Sequence, residues 1–393
     1  MTTTMIVKPS HSGSASSADK TLRALRLWRR LLPMGLAFSV PQLVRGENHA
    51  DYRFGYYAED NDRMTIETHS VYFEQKLVDA IIAKGELVYD GVSGATPTGT
   101  HDLSGKAITT HLWDLRRAAN LELDCRLGNH TLTPGFAWSQ EHDYLSYGIS
   151  LNDAIEFNDK NTTLQLGVSH NFDNVRHADK VTWTTKDSTE GIIGISQLLS
   201  PKDIFNAAFT FGNDSGYLSD PYRLAEYHPS FFPTGFNIGV PERRPAHRNK
   251  EILFTSLTHH FDSLDASIEG SYRFYHDSYD VFSHTAGLTW HQRLGKHFIV
   301  EPFFRFSEQS AASFYSTTFY GSSISAPDGY HSSDYRLSEM FTLDYGLQAT
   351  VPINDHLRVT AGYHRYEMRG LDNTTADMYP NANVFNVGIS FLW

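Results

Sequence analysis

The sequence predicts an all-β fold: a single antiparallel transmembrane β-barrel of about sixteen strands, with short periplasmic turns and long outer loops. Three observations predict it. Apolar and polar residues alternate with period two along many segments. Those segments run to about ten to twelve residues, longer than soluble strands and near the length that crosses a bilayer on a tilt. Connections between them alternate between tight and long, an asymmetry of outer-membrane barrels.

Composition excludes the main rivals. Mean hydropathy is −0.39, and no stretch approaches the ~18 apolar residues of a membrane helix. Aromatics make up 13% of the 393 residues, with 25 Phe and 21 Tyr, whereas disordered chains are poor in them. A net charge of −12 disfavours a nucleic-acid partner. Cys125 is the single cysteine, which excludes an intrachain disulfide and any Cys-rich metal centre.

At the N-terminus, Lys20, Arg23, Arg26, Arg29 and Arg30 precede the apolar run Leu31–Val40. Basic then apolar is the order of a secretory signal peptide, expected over 1–46, with an amphipathic surface helix as the alternative. Export leaves 47–393 as one outer-membrane barrel domain of a Gram-negative envelope. Strands are expected near 51–58, 63–76, 80–90, 115–127, 130–138, 144–157, 162–170 and 187–199. The second half adds 203–212, 250–261, 265–276, 279–294, 297–308, 338–352, 356–369 and 383–393. Tight turns fall near Gly128-Asn129, Asn158-Asp159-Lys160, Ser200-Pro201-Lys202, Ser263-Leu264, Gly295-Lys296 and Asn354-Asp355. Long connections are expected around 91–113, 170–186, 213–249, 310–337 and 370–381. Lipid cannot satisfy a sheet edge, so such a sheet must close on itself.

Alternation is clearest at the end of the chain, where Phe385, Val387, Ile389, Phe391 and Trp393 share one face. The terminal aromatics Phe391 and Trp393 resemble the signal read by the barrel-assembly machinery, although the usual last residue is Phe. The opposite register collects Glu122, Asp124, Arg126, Glu269, Arg273, Glu301, Arg305, Asp344 and Arg358. Mixed charge at these positions predicts a wet, ion-paired lumen. About sixteen strands enclose an aqueous channel unless something fills it. The segment 213–249 is the candidate filler, with Pro221, Pro229, Pro233, Pro241 and Pro245 among Tyr217, Tyr222, Tyr227, Phe231, Phe232 and Phe236. Folding inward and packing on the rim are both open to it.

The 20 His are scattered without ligand spacing, so no metal site is expected among them. Glu59-Asp60-Asn61-Asp62 offers either hard oxygens for a divalent cation or a plain acidic hairpin turn. No catalytic residue is expected. Ser169 and His170, the nearest approach to a hydroxyl–imidazole pair, are strand neighbours that point to opposite faces.

One motif stands apart. Asp90-Gly91-Val92-Ser93-Gly94-Ala95-Thr96-Pro97 follows a strand and opens the long connection at 91–113. As turn chemistry, its glycines permit positive φ and its proline stiffens the exit. It also resembles the acceptor motif of periplasmic flavin transferases, as found in subunits of sodium-pumping NADH:quinone reductases and Rnf complexes. The resemblance implies FMN joined through its phosphate to the Thr96 hydroxyl, with Asp90, Ser93, Gly94 and Ala95 completing the acceptor.

With Tyr56-Tyr57-Ala58-Glu59-Asp60-Asn61-Asp62-Arg63 and the terminal strand, the same residues resemble an envelope family catalogued as domain of unknown function thirty-five-seventy. That resemblance implies a link to extracytoplasmic electron transfer, with a flavin transferase and a thioredoxin-like protein as partners. The parity of strands puts 91–113 outside the cell while the transferase works in the periplasm; modification before insertion reconciles the two. A passive or substrate-selective porin with a charged lumen is the rival reading. A barrel scaffold for a lipoprotein or redox partner is a third.

Overall fold

The computed structural model describes residues 48–233, 235–296, 298–323 and 325–393; the signal peptide expected over 1–46 lies outside them. The wall begins with β1 (His49–Glu59), β2 (Met64–Val78), β3 (Ile81–His101), β4 (Ala107–Leu127) and β5 (His130–Gln140). It continues through β6 (Tyr144–Phe157), β7 (Thr162–Arg176), β8 (Trp183–Leu198) and β9 (Asp203–Gly216). Two short strands interrupt it, β10 (Leu224–Pro229) and β11 (Ile238–Pro241). The wall resumes with β12 (His247–Phe261), β13 (Ala266–Asp277), β14 (Phe282–Leu294) and β15 (Phe298–Gln309). A third short strand, β16 (Phe319–Gly321), precedes the last wall strands β17 (Met340–Pro352), β18 (Leu357–Gly370) and β19 (Asn381–Leu392).

Sixteen of these strands form one closed barrel, each paired with its neighbours in the wall. The ring closes where β1 meets β19 antiparallel, with Ala50 opposite Phe391 and Tyr56 opposite Phe385. Closure removes the edges that lipid could not satisfy. All sixteen expected strands are present. The three short strands make a separate sheet, in the order β11-β10-β16.

Alternation sorts the side chains as the sequence predicts, with the sense of a soluble protein reversed. Phe385, Val387, Ile389, Phe391, Leu347, Tyr363, Phe304 and Leu121 stand exposed on the outer face. Glu269, Glu301, Asp344, Gln348, Thr350 and His364 are buried on the inner one. Outward aromatics mark both ends: Phe157, Phe298 and Trp393 by the tight turns, Trp183 and Phe282 by the loops. This is the aromatic arrangement of a barrel solvated by lipid.

The turns at 79–80, 128–129, 158–161, 199–202, 262–265 and 353–356 share the end where the described chain begins and stops. At the other end lie 217–246 and 310–339, the two longest connections. Two expected loops are corrected. Residues 91–113 are mostly strand: β3 runs to His101 and β4 starts at Ala107, leaving only 102–106 as the tip. Likewise β7 and β8 extend into 170–186, leaving 177–182. The turn residues at 91–99 lie inside a β3–β4 hairpin that outgrows its neighbours.

Candidate functional site

The β3–β4 hairpin is the tallest part of the wall, with 21 residues in each strand. Pairing of β2 with β3 ends at Met64 opposite Gly94, after which β3 continues with β4 alone. Gly94 makes this parting possible. Its φ is +143°, and a Cβ there would lie 2.2 Å from the carbonyl oxygen of Arg63. That same oxygen accepts a hydrogen bond from the Ala95 amide at 2.5 Å. The motif Asp90–Thr96 is therefore strand, correcting the expectation that it opens a loop.

Strand alternation also divides the motif's residues. Asp90 is buried and accepts from Arg116 Nη1 at 3.1 Å. Ser93 is exposed, and its carbonyl accepts from the Thr65 hydroxyl. Thr96 is 5% exposed, and its hydroxyl accepts from Arg223 Nη2 at 2.9 Å. Asp90 and Thr96 thus face inward, while Ser93 faces out.

Beyond Gly94, the inner side of the hairpin is covered. Thr96, Thr98 and Thr100 are buried there, and Gly99 admits the carbonyl oxygens of Leu224 and Ser333 where a Cβ would clash. His101 Nδ1 meets Glu226 at 2.7 Å, and its Nε2 meets the Thr375 hydroxyl at 3.0 Å. The Ala107 amide donates to Asp377 at 2.7 Å. Loops 217–246, 310–339 and 371–380 thus pack together against the tall hairpin and cap the mouth. Segment 213–249, left open between lumen and rim, belongs at its ends to β9 and β12; its middle forms β10 and β11, with Leu224 and Glu226 of β10 against the inner side of β3.

The apolar core of the protein is largely in this cap. One cluster joins Tyr335, Met340, Tyr366, Met368, Met378, Tyr379 and Ala382. A second joins Tyr279, Val281, Ala312, Phe314 and Leu337, and a third Ala225, Tyr227 and Val240. Burial of such side chains is the main favourable term holding loops in one arrangement.

Between the clusters lies a charge lattice that the sequence reading missed. Asp334 is fully buried and accepts from Arg244 Nη2 at 2.7 Å and from Arg336 Nε at 2.9 Å. Arg336 also reaches Asp220 at 2.6 Å, and Arg244 pairs with Glu242 at 2.8 Å. Arg223 stands 3.7 Å from Asp334 and 3.9 Å from Asp220. Three carboxylates thus face three guanidiniums. The signal was legible: Asp220-x-x-Arg223, Glu242-x-Arg244 and Asp334-x-Arg336 place an acid just before an arginine three times.

Burial works against the charge of Asp334, yet Arg336, Arg223 and Arg244 hold its carboxyl well below the ordinary range. Asp220 is likewise held down, against burial, by Arg336 and Arg223. Burial pushes Glu242 up, with Arg244 opposing. A depressed folded-state pKa adds stability that is present above the unfolded value and lost as pH falls through the folded one. The Asp220 and Asp334 contribution should therefore persist from neutral pH to about pH 4 and fade below it. Hydrogen exchange of 219–246, followed from pH 7 to pH 3, checks this; loss of protection already at pH 5 would contradict it.

Lower in the barrel, the expected lumenal residues keep to inward positions. Glu301 sits between His291, at 2.8 Å, and Gln348, at 3.0 Å. Asp344 pairs with His364 at 2.6 Å and lies opposite Arg305 in the ladder. Asp124 pairs with Lys84 and accepts from Thr133; Glu269 faces Thr258. Glu122, Arg126, Arg273 and Arg358 are half-buried on the same face. Lys250, bridging Glu190 and Asp214 at 2.9 and 3.1 Å, was missed although its parity marked it. The acidic turn Glu59–Asp62 is occupied by arginine: Glu59 pairs with Arg63 at 3.1 Å, and Asp60 pairs with Arg365.

Closed antiparallel wall, apolar exterior, charged interior and packed mouth together define a capped β-barrel of the outer-membrane type. A family model described as "Protein of unknown function (DUF3570)" matches residues 36–111, 107–182 and 176–393, and the chain belongs to that family. Among solved structures, a bacterial polysaccharide outer membrane secretin is 11% identical, at a TM-score of 0.49, over 88% of this chain and 99% of its own. A loop-deletion mutant of the outer membrane protein OmpT of Vibrio cholerae is 10% identical, at 0.44, over 88% and 98%. OpdK of Pseudomonas aeruginosa, solved with vanillate, is 8% identical, at 0.42, over 88% and 97%. At these values the likeness is one of architecture alone. No curated protein matches.

Proposed function

We propose that the protein resides in the outer membrane of a Gram-negative bacterium and passes small polar solutes through its charged lumen, with the loop cap restricting the mouth. The observation that carries this is the reversed sorting of side chains around a closed wall. An apolar exterior requires lipid, and an ionic interior requires water. Outer-membrane lipid and the barrel-assembly machinery, engaging the strand that ends in Phe391 and Trp393, are the partners this reading needs.

The lipid half is tested on the wall. Leu347, 48% exposed on the outer face, lies in the middle of β17. Leu347→Arg should cost about 2–4 kcal/mol of folding free energy in vesicles. Urea titration reads it, and an unchanged midpoint would place Leu347 outside hydrocarbon. The channel half is tested by planar-bilayer conductance of the full protein and of a variant with a broken cap lattice. Larger ion-permeable steps in the variant support it. Silence from both would end the channel reading.

A second reading is favoured by one contact. Arg223 places a guanidinium on the Thr96 hydroxyl at 2.9 Å, where a phosphodiester to FMN would find a counter-charge. In the closed cap, Thr96 and Pro97 are buried and the hydroxyl is already engaged, so the closed arrangement does not admit the flavin. Attachment by a periplasmic transferase would have to precede closure. On this reading the barrel serves extracytoplasmic electron transfer, with a thioredoxin-like protein or a lipoprotein as redox partner. Mass spectrometry of the Thr96 peptide from cells with an active transferase decides it. An unmodified peptide overturns it.

A further inference from the structure

A carboxylate cluster outside the cap lattice has no role in either reading. Asp114, on the inward face of β4, meets Glu141 and Asp143 of the turn between β5 and β6. One oxygen from each lies within 4.8 Å of the other two. This is the one such grouping of His, Cys, Asp or Glu among the described residues. Arg116 is shared: it donates to Asp90 and to Ser139, both at 3.1 Å, and makes only a long ion pair with Glu141, at 3.9 Å.

Asp143 supplies the second, independent observation. It is 6% exposed, and neither carboxylate oxygen has a hydrogen-bond partner of ordinary geometry, the Tyr222 phenol approaching it as a donor. Its backbone carbonyl is held in the fold, accepting from the Arg176 amide at 2.9 Å. A buried carboxylate with so few donors is costly and calls for a further partner. Asp114, by contrast, uses only Oδ1, which caps the Leu115 and His142 amides at 2.7 and 3.1 Å. That contact holds the β5–β6 turn against β4 and keeps the three carboxylates together.

We propose that Asp114, Glu141 and Asp143 bind a hard divalent cation, Ca²⁺, at the loop end of the barrel. An all-oxygen donor set with no sulfur or imidazole suits Ca²⁺ over zinc or copper. Ligand oxygens at roughly 2.3–2.6 Å from one ion lie up to about 5 Å apart, as these do, and water completes its six to eight ligands. Mg²⁺ demands a tighter octahedron and retains its water, so it should compete poorly. Bound there, the ion ties the wall strand β4 to the turn after β5, beside Tyr222 of the capping loop, whose phenol is pushed up by burial and by its hydrogen bond to Asp143.

The test is calorimetric titration of the full, detergent-folded protein with CaCl₂ after chelator treatment, beside Asp143→Asn prepared identically. Calcium held by residual lipid is common to both samples and cancels in the difference. The expected result is about one equivalent of saturable binding in the parent, weakened at least tenfold by Asp143→Asn. Heat-modifiable migration on gels confirms that each barrel is folded. Should Asp143→Asn not fold, Glu141→Gln takes its place with the same expectation. No saturable binding in the parent, or equal binding in a folded variant, overturns the site. Binding of Mg²⁺ as tight as Ca²⁺ overturns the assignment to calcium.

Discussion

Asp334→Ala should open the cap while leaving the wall intact. Asp334 is fully buried and engages Arg244 and Arg336 directly, with Arg223 3.7 Å away. Its removal strands guanidiniums in a site with few other acceptors, and breaking a buried pair from one side typically costs about 3–5 kcal/mol. The loss falls on a part of the molecule that is held by side chains rather than by the barrel ladder. Hydrogen exchange in 219–246 and 331–338 should therefore accelerate by two or more orders of magnitude, about 1.4 kcal/mol being tenfold. Exchange in β12–β15 should not change. Uniform protection in both regions would show that the apolar clusters alone hold the cap. The double change Asp334→Leu with Arg336→Met should recover much of the loss, because replacing both partners by apolar groups leaves no orphaned charge.

The second large effect is expected at Gly94. Any Cβ meets the Arg63 carbonyl oxygen at 2.2 Å and the Met64 Cα at 2.6 Å, both of them backbone. Neither can swing away as a side chain does, and φ of +143° adds strain of order 1–3 kcal/mol for an L-residue. Gly94→Val should therefore pull the β1–β2 turn off β3 and misdirect the upper hairpin. The readouts are a lower urea midpoint for the folded barrel and lost exchange protection at 95–110. This separates two explanations of one residue. If Gly94 serves only a transferase, the purified variant refolded without that enzyme matches the parent. If it serves the fold, the variant fails there too.

The wall was legible because its physics is local and repetitive. A strand with lipid on one side and water on the other must alternate, and Val384–Trp393 or Phe341–Val351 show this without reference to any partner. Tight turns such as Gly128-Asn129 were legible for the same reason. The cap was not. In Thr96-Pro97-Thr98-Gly99-Thr100, both faces meet protein rather than lipid, so the apolar signal disappears and the glycines and proline read as a loop. What makes it strand is cover from 224, 333 and 375, residues far away in sequence. The acid–arginine pairs at 220, 242 and 334 were visible as letters, but their convergence is a property of the closed ring. The motif at 90–96 was seen as chemistry, and its role at the parting of β2 from β3 could be seen only in register.

The cap draws on segments from nearly the whole length of the wall, and one of its contacts, His101 with Thr375, spans 274 residues. That contact cannot form until the intervening strands have been threaded and the ring is almost shut. For this side of the cap, assembly therefore has an order written into it: wall first, cover last. The interval between them is the period in which the hairpin tip lacks its Thr375 and Asp377 contacts, and it lasts until the final strands join the ring. A variant that slows that final pairing would lengthen the interval without altering a single residue of the cap.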